Sequence, residues 1–167
     1  MKLIKEINPE NINATTASTY DLRTAARAVL FDNENNIGLL HVKKHGYHKI
    51  PGGGVEKGED IKTALVRECS EEAGCKIEIG EEVGSIVEYR GKYMFKQISE
   101  CFIAYVKGEK NSPEFTEEEI NENFELIWVS VNEAESLLEH DSPKDYEGKF
   151  IVDRDLTFIQ EARKVIE

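Results

Sequence analysis

Residues Gly53 to Cys75 read GGVEKGEDIKTALVRECSEEAGC, and the second half of this stretch decides the fold. From Asp60 to Ala73 the apolar side chains Ile61, Leu65, Cys69 and Ala73 recur every four positions, with Val66 alongside, which predicts an amphipathic helix. Gly74 follows as its C-terminal stop. Beside the apolar face stand Glu68, Glu71 and Glu72 at i, i+3 and i+4, so three carboxylates share one stripe. Like charges at this spacing destabilise an isolated helix, and near its C-terminal end they also face the negative pole of the macrodipole. A bound cation would remove both penalties, while a plain solvated face is the competing account. Mg²⁺ suits such ligands, since it takes hard oxygens and shares its shell with phosphates. Zinc is disfavoured, because no His/Cys set has ligand spacing.

Upstream, Pro51-Gly52-Gly53-Gly54 allows close approaches that side chains would block. Before it, the apolar runs Ala25 to Phe31 and Ile37 to Val42, separated by Asp32-Asn33-Glu34-Asn35-Asn36, predict a β-hairpin. Downstream, strands are expected over about Ile77 to Tyr89, Tyr93 to Val106 and Leu126 to Val131, completing a mixed sheet. Helical spacing covers Asn132 to Glu139 and Phe150 to Ile166, the latter through Ile151, Leu156, Ile159, Ala162 and Ile166. The closing helix is expected to pack on the sheet, although its apolar stripe could also serve a homodimer. Glu109 to Glu125 holds seven Glu against the single Lys110 and reads as a solvated loop with a short helical turn after Pro113.

The 167 residues suit one domain, with a core over about residues 23–140 and a terminal helix over about 150–166. The formal charge of -12 opposes attraction to phosphate backbones, so duplex nucleic acid is an unlikely partner. Divalent ions on clustered carboxylates would let such a chain hold a small polyphosphate. No apolar run is long enough to span a membrane and no export signal is evident, which predicts a cytoplasmic protein. Cys69, Cys75 and Cys101 then read as reduced, buried thiols.

The Gly53 to Cys75 stretch resembles the Nudix box: Gly, five residues, Glu, seven residues, Arg-Glu, an aliphatic, any residue, Glu-Glu, any residue, Gly, an aliphatic. Gly53, Glu59, Arg67, Glu68, Glu71, Glu72 and Gly74 fill every fixed position, and the departures are Cys69 and Cys75 at the aliphatic places. A buried Cys behaves as a small hydrophobe, so packing is preserved there. The resemblance spans roughly Thr24 to Ala134 and implies an α+β fold, the Nudix α/β/α sandwich with a mixed β-sheet between helices. It implies Mg²⁺- or Mn²⁺-dependent cleavage of a pyrophosphate bond in a nucleoside diphosphate linked to another moiety. By the same resemblance Glu68, Glu71 and Glu72 are metal ligands with the carbonyl of Gly52, Arg67 holds the glutamates, and Glu59 is its structural partner. Water activated in this way needs a base, for which Glu71, Glu72 or a glutamate of the acidic loop are candidates. Among Glu117, Glu118, Glu119 and Glu122, Glu118 is taken as the extra carboxylate.

Arg23 and Arg27, spaced by four on one strand, share a face and could hold a phosphate or base; ion pairing with the acidic excess is the alternative. Lys43, Lys44 and Lys49, with His45 and His48, form a basic patch that could take a terminal phosphate, with Lys49 the chosen contact. Tyr93 is similar to a tyrosine of Nudix enzymes that cut dinucleoside polyphosphates, and Arg90 stands where many ADP-ribose hydrolases carry proline. Tyr89, Phe95 and Trp128 are further stacking candidates, against ordinary strand packing. A nucleotide-sensing module that binds without cleaving, and a metal-stabilised structural protein, are the readings from other classes.

Overall fold

The structure is a computed structural model describing residues 1–166. Its elements in chain order are β1 (Leu3–Ile7), α1 (Ala14–Ala17), β2 (Asp21–Phe31), β3 (Ile37–Val42), β4 (Tyr47–Lys49), β5 (Gly52–Gly54) and α2 (Ile61–Ala73). After these come β6 (Lys76–Arg90), β7 (Phe95–Lys107), α3 (Glu117–Asn121), β8 (Phe124–Val129), α4 (Val131–His140) and α5 (Tyr146–Ile166). No helix among the described residues is long and apolar enough to cross a membrane.

One mixed sheet runs in the order β1-β6-β7-β2-β3-β4, with β5 paired to β2 and β8 to β3. Strands β2 and β7 lie parallel over eleven residues, while β6 and β7 form a long antiparallel pair. The expected hairpin is present, but β2 and β3 touch only at Phe31 and Ile37, and the glycine stretch takes over the edge so released. There Ala25, Ala26 and Arg27 pair with Gly54, Gly53 and Gly52, so the predicted loop is a short strand. Gly52 has φ +136°, and a Cβ on it would lie 2.1 Å from the carbonyl oxygen of Ala26, so only glycine fits.

Side-chain alternation along the strands divides the core into two layers. Ala26, Ala28, Leu30, Phe102, Ala104 and Val106 pack against Ala64, Leu65, Cys69 and Ala73 of α2. Val29, Phe31, Ile86, Cys101 and Ile103 pack against Phe150, Phe158, Ile159 and Ala162 of α5 and Leu138 of α4. The stripe on α5 is thus spent on its own sheet. All three cysteines are free and buried.

Capping fixes α2 as its sequence predicts: the Asp60 side chain accepts from the Thr63 amide, and Gly74 turns left-handed at φ 61°. Other boundaries move. Helix α5 begins at Tyr146, four residues early, and β8 is shifted towards Phe124. Tyr93 lies in a 3₁₀ turn, Gly91–Tyr93, and not in a strand. In the acidic stretch, Thr116 and Glu119 form a capping box that starts α3. Strand β1, which the sequence reading did not assign, adds in parallel to β6.

Candidate active site

Helix α2 and strand β5 meet edge to face, and the missing side chains of β5 let the helix carboxylates reach the sheet. The backbone amide of Gly52 donates to Glu72 at 2.7 Å. A Cβ on Gly53 would sit 2.3 Å from a carboxylate oxygen of Glu68, so Gly53 leaves a cradle that this carboxylate fills. Arg67 binds the region together. Its guanidinium donates twice to Glu59, from Nε and Nη2 at 3.0 Å each, and Nη2 also donates to the Gly54 carbonyl at 3.0 Å. Nη1 donates to Glu68 at 2.7 Å and, more loosely, to Glu71 at 3.4 Å. Hydrogen bonding to Arg67 in turn pulls the Glu59 carboxyl below its ordinary range.

Glu72 is buried, and burial pushes its carboxyl up despite the Lys49 ammonium at 2.9 Å and the Gly52 amide. Lys49 itself lies over the ring of Phe124, 4.9 Å from the centroid. Arg27 is buried too; its Nη1 donates to the Gly52 carbonyl, the oxygen expected to face a metal. Desolvation, and then the charge of Arg154, lower the Arg27 guanidinium to about 10.

A cleft of about 350 Å³ opens here. Of the residues expected at the site, Arg23, Arg27, Lys49, Gly52, Gly53, Glu68, Glu72 and Glu118 line it. Glu119 and Glu122 join Glu118 in the lining, all three carried by α3 and its C-terminal cap. Glu71, half exposed, is not among the lining residues and stays at the rim near Arg67. Tyr93 is also elsewhere: it stacks on Phe95 and meets Tyr146 edge-on, outside the cleft lining. Trp128 is covered by Lys110, 4.0 Å from its ring centroid, and Tyr89 bonds Glu6, so Phe124 is the aromatic side chain in the cleft. The basic patch disperses: Lys43 pairs with Glu125, and buried His48 bonds Asp141.

Six glutamates and no His or Cys line the cleft, a donor set of hard oxygens that fits Mg²⁺ or Mn²⁺. The cradle at Gly53 fits the same purpose. Among the described residues, however, no three His, Cys, Asp or Glu side chains form a metal-holding group. The helix glutamates are instead paired with the chain's own cations, Glu72 with Lys49 and both Glu68 and Glu71 with Arg67.

Arg90, Gln97 and Arg154 also line the cleft, and the sequence gives them no site role. Glu88, Arg90, Gln97, Ser99, Arg154 and Asp155 form a buried polar network on β6, β7 and α5. Glu88 accepts from Arg90 at 2.8 Å, Gln97 at 2.7 Å and Arg154 at 3.2 Å, while Arg154 also donates to Asp155 at 2.6 Å. Burial alone would raise Glu88, but Arg154 and Arg90 overcome it and hold the carboxyl at about 2. A signal existed: Arg154 and Asp155 fall on the apolar stripe of α5 between Ile151 and Phe158, where charges need partners.

The NUDIX domain family matches residues 21–148, most of the chain. The chain belongs to the Nudix family. Among solved structures with the Nudix fold, a MutT protein from Methanosarcina mazei superposes with a TM-score of 0.61 at 19% identity, covering 89% of this chain and 98% of that one. An Ap4A hydrolase of C. elegans gives 0.60 at 16% identity, covering 88% and 100%. An ADP-ribose pyrophosphatase from Streptococcus suis gives 0.55 at 20% identity, covering 85% and 92%. At these identities the likeness establishes the Nudix fold and leaves the substrate to this chain's own cleft.

Proposed function

We propose that this Nudix chain hydrolyses a pyrophosphate bond in a nucleoside polyphosphate, or in a nucleoside diphosphate linked to another moiety, with Mg²⁺ or Mn²⁺ as cofactor. The observation that carries the reading is the meeting, in one cleft, of the Glu68 and Glu72 carboxylates with the Arg23, Arg27 and Lys49 cations across a strand of glycines. A divalent ion bound there would offset charge on the phosphate oxygens and make water more acidic. Glu68 and Glu72, joined by Glu71 from the rim, are the residues that would hold it.

Arg67 is a positioning residue, since its fork fixes Glu68 against β5 and ties the helix to Glu59. Arg23, Arg27 and Lys49 supply the donors that orient the phosphate chain and counter its charge. Water attacks phosphorus, the P–O anhydride bond breaks, and the proton passes to a carboxylate. Glu118 is our choice for that carboxylate, because α3 carries it into the lining of the same cleft as Glu68 and Glu72. The three free, buried thiols support a cytoplasmic setting.

The test is product chromatography after incubating the pure chain with nucleoside triphosphates, dinucleoside polyphosphates, ADP-ribose and nucleotide sugars, with Mg²⁺ or with chelator. Cleavage should require the metal, and Glu72→Gln should lower it by ~10²-fold or more while the chain stays folded. Undiminished turnover in that variant, or no cleavage of any compound, refutes the proposal.

A further inference from the structure

Next to the phosphate donor Arg27 of β2, the part of the cleft built by β6, β7 and α5 is lined by the buried polar side chains Arg90, Gln97 and Arg154. Four side-chain atoms there are buried without a hydrogen-bond partner: Nε of Arg27, Nε of Arg90, Nη2 of Arg154 and Oε1 of Gln97. All four residues line the cleft. Buried polar atoms left unpaired are costly, so four together in one cavity wall call for a ligand or bridging water.

We propose that this wall reads the base of the nucleotide, and that it selects bases carrying a ring carbonyl beside an N–H or amino group over adenine. The inference rests on the proposed function, in that the cleft must take a nucleotide. It goes further by assigning specificity to Arg90, Gln97 and Arg154, with Nε of Arg27 between the base and the phosphate chain.

The donor and acceptor count decides the class of ligand. Three arginine nitrogens seek acceptors and one amide oxygen seeks a donor. The amide cannot be reversed to change this count. Its Nε2 donates to Glu88 at 2.7 Å and faces Ser99 Oγ at 3.1 Å, and turning it would set Oε1 against the Glu88 carboxylate. Guanine offers O6 and N7 as acceptors next to the N1–H donor; cytosine offers O2 and N3 next to its N4 amino group; uracil offers two carbonyl oxygens around N3–H. Each supplies about three lone pairs and a donor along one edge. Adenine has no carbonyl, so next to its amino group an edge supplies a single ring-nitrogen lone pair and leaves arginine N–H groups unpaired.

A second phosphate is the competing ligand for an arginine wall. It would satisfy the arginines but bring no donor to Gln97 at neutral pH, and it would add an anion beside Glu88 and Glu147. A neutral base avoids both faults. Phe124 and Ile151 give the cleft apolar surface to cover the faces of a ring.

The experiment compares kcat/KM of the wild-type chain for nucleoside triphosphates and for nucleoside diphosphate sugars carrying guanine, cytosine, uracil or adenine. Adenine compounds should be poorer by ~10-fold or more than the best carbonyl-bearing base. In Gln97→Met, checked for folding by thermal melting, that ratio should shrink. Equal or better use of adenine by the wild type overturns the inference and leaves the proposed function standing. A uniform loss across all four bases in Gln97→Met overturns it as well, since that marks a merely structural glutamine. If no compound is cleaved, the proposed function fails, and binding of the four triphosphates to the wild type by calorimetry decides the inference separately. Tighter binding of the carbonyl-bearing bases supports it, and no preference overturns it.

Discussion

Gly53→Ala would separate the machinery of the site from the stability of the fold. Gly53 lies on β5 opposite Ala26, and its φ is not left-handed, so alanine meets no backbone strain. The new Cβ would meet the Glu68 carboxylate at 2.3, 2.4 and 2.5 Å, where ordinary contact begins at 3.4 Å. The carboxylate must therefore retreat by about 1 Å, which breaks its alignment with Arg67 and its place in the cleft. Displacement of a catalytic group by ~1 Å costs ~10²-fold in rate. The stability cost should stay within about 1 kcal/mol, because the carboxylate is the mobile end of a side chain and the Glu68–Arg67 pair is partly solvated. Gly52→Ala is the contrasting case, since its Cβ would strike the backbone oxygen of Ala26 at a φ of +136°, and neither can move. The assay is metal-dependent hydrolysis alongside the melting temperature of both variants. Full activity in Gly53→Ala refutes the reasoning, and so does a fall in melting temperature as large as that of Gly52→Ala.

Three further outcomes are expected. Arg67→Lys keeps a cation but loses the fork that grips Glu59, Glu68 and Gly54 together, so kcat should drop ~10- to 100-fold with little change in melting temperature; wild-type kcat would count against the positioning role. Glu88 is depressed from 4.5 to about 2, so its pairing contributes stability above the ordinary carboxyl value, and that contribution is lost as pH falls from 4.5 through 2. The amount is on the order of 3 kcal/mol. Acid titration of Glu88→Gln, followed by circular dichroism, should show a shallower decline than the wild type over that window, and parallel curves would contradict the coupling. Burial raises the thiols of Cys69, Cys75 and Cys101, so a thiol reagent should label none of them in the native chain and all three in denaturant.

The sequence-level expectations that proved firm were those written locally. The period-four apolar residues, the Asp60 cap and the Gly74 stop are all within one helix, and the structure places the helix at Ile61–Ala73. Tyr93 lies in a turn where a strand is expected, because the turn meets Tyr146 of α5, fifty-three positions away in the chain. Charge alone suggests Lys49 as a phosphate contact, and folding sets it in the cleft lining with Glu72 and Phe124 as its neighbours.

By itself, then, the chain determined the side-chain-free glycine stretch, the helix bearing Arg67 and the glutamates, and the oxygen-rich chemistry of their face, because each depends on neighbours within a few residues. Tertiary structure alone decided which cations neutralise those glutamates, that β5 pairs with β2, and that Arg90, Gln97 and Arg154, each bonded to Glu88, line the cleft. Arg154 meets Glu88 across 66 positions of sequence, and no local periodicity encodes a contact of that length. Such a pair forms only because α5 must bury its apolar stripe on the sheet, carrying its charged residues into the same dry layer.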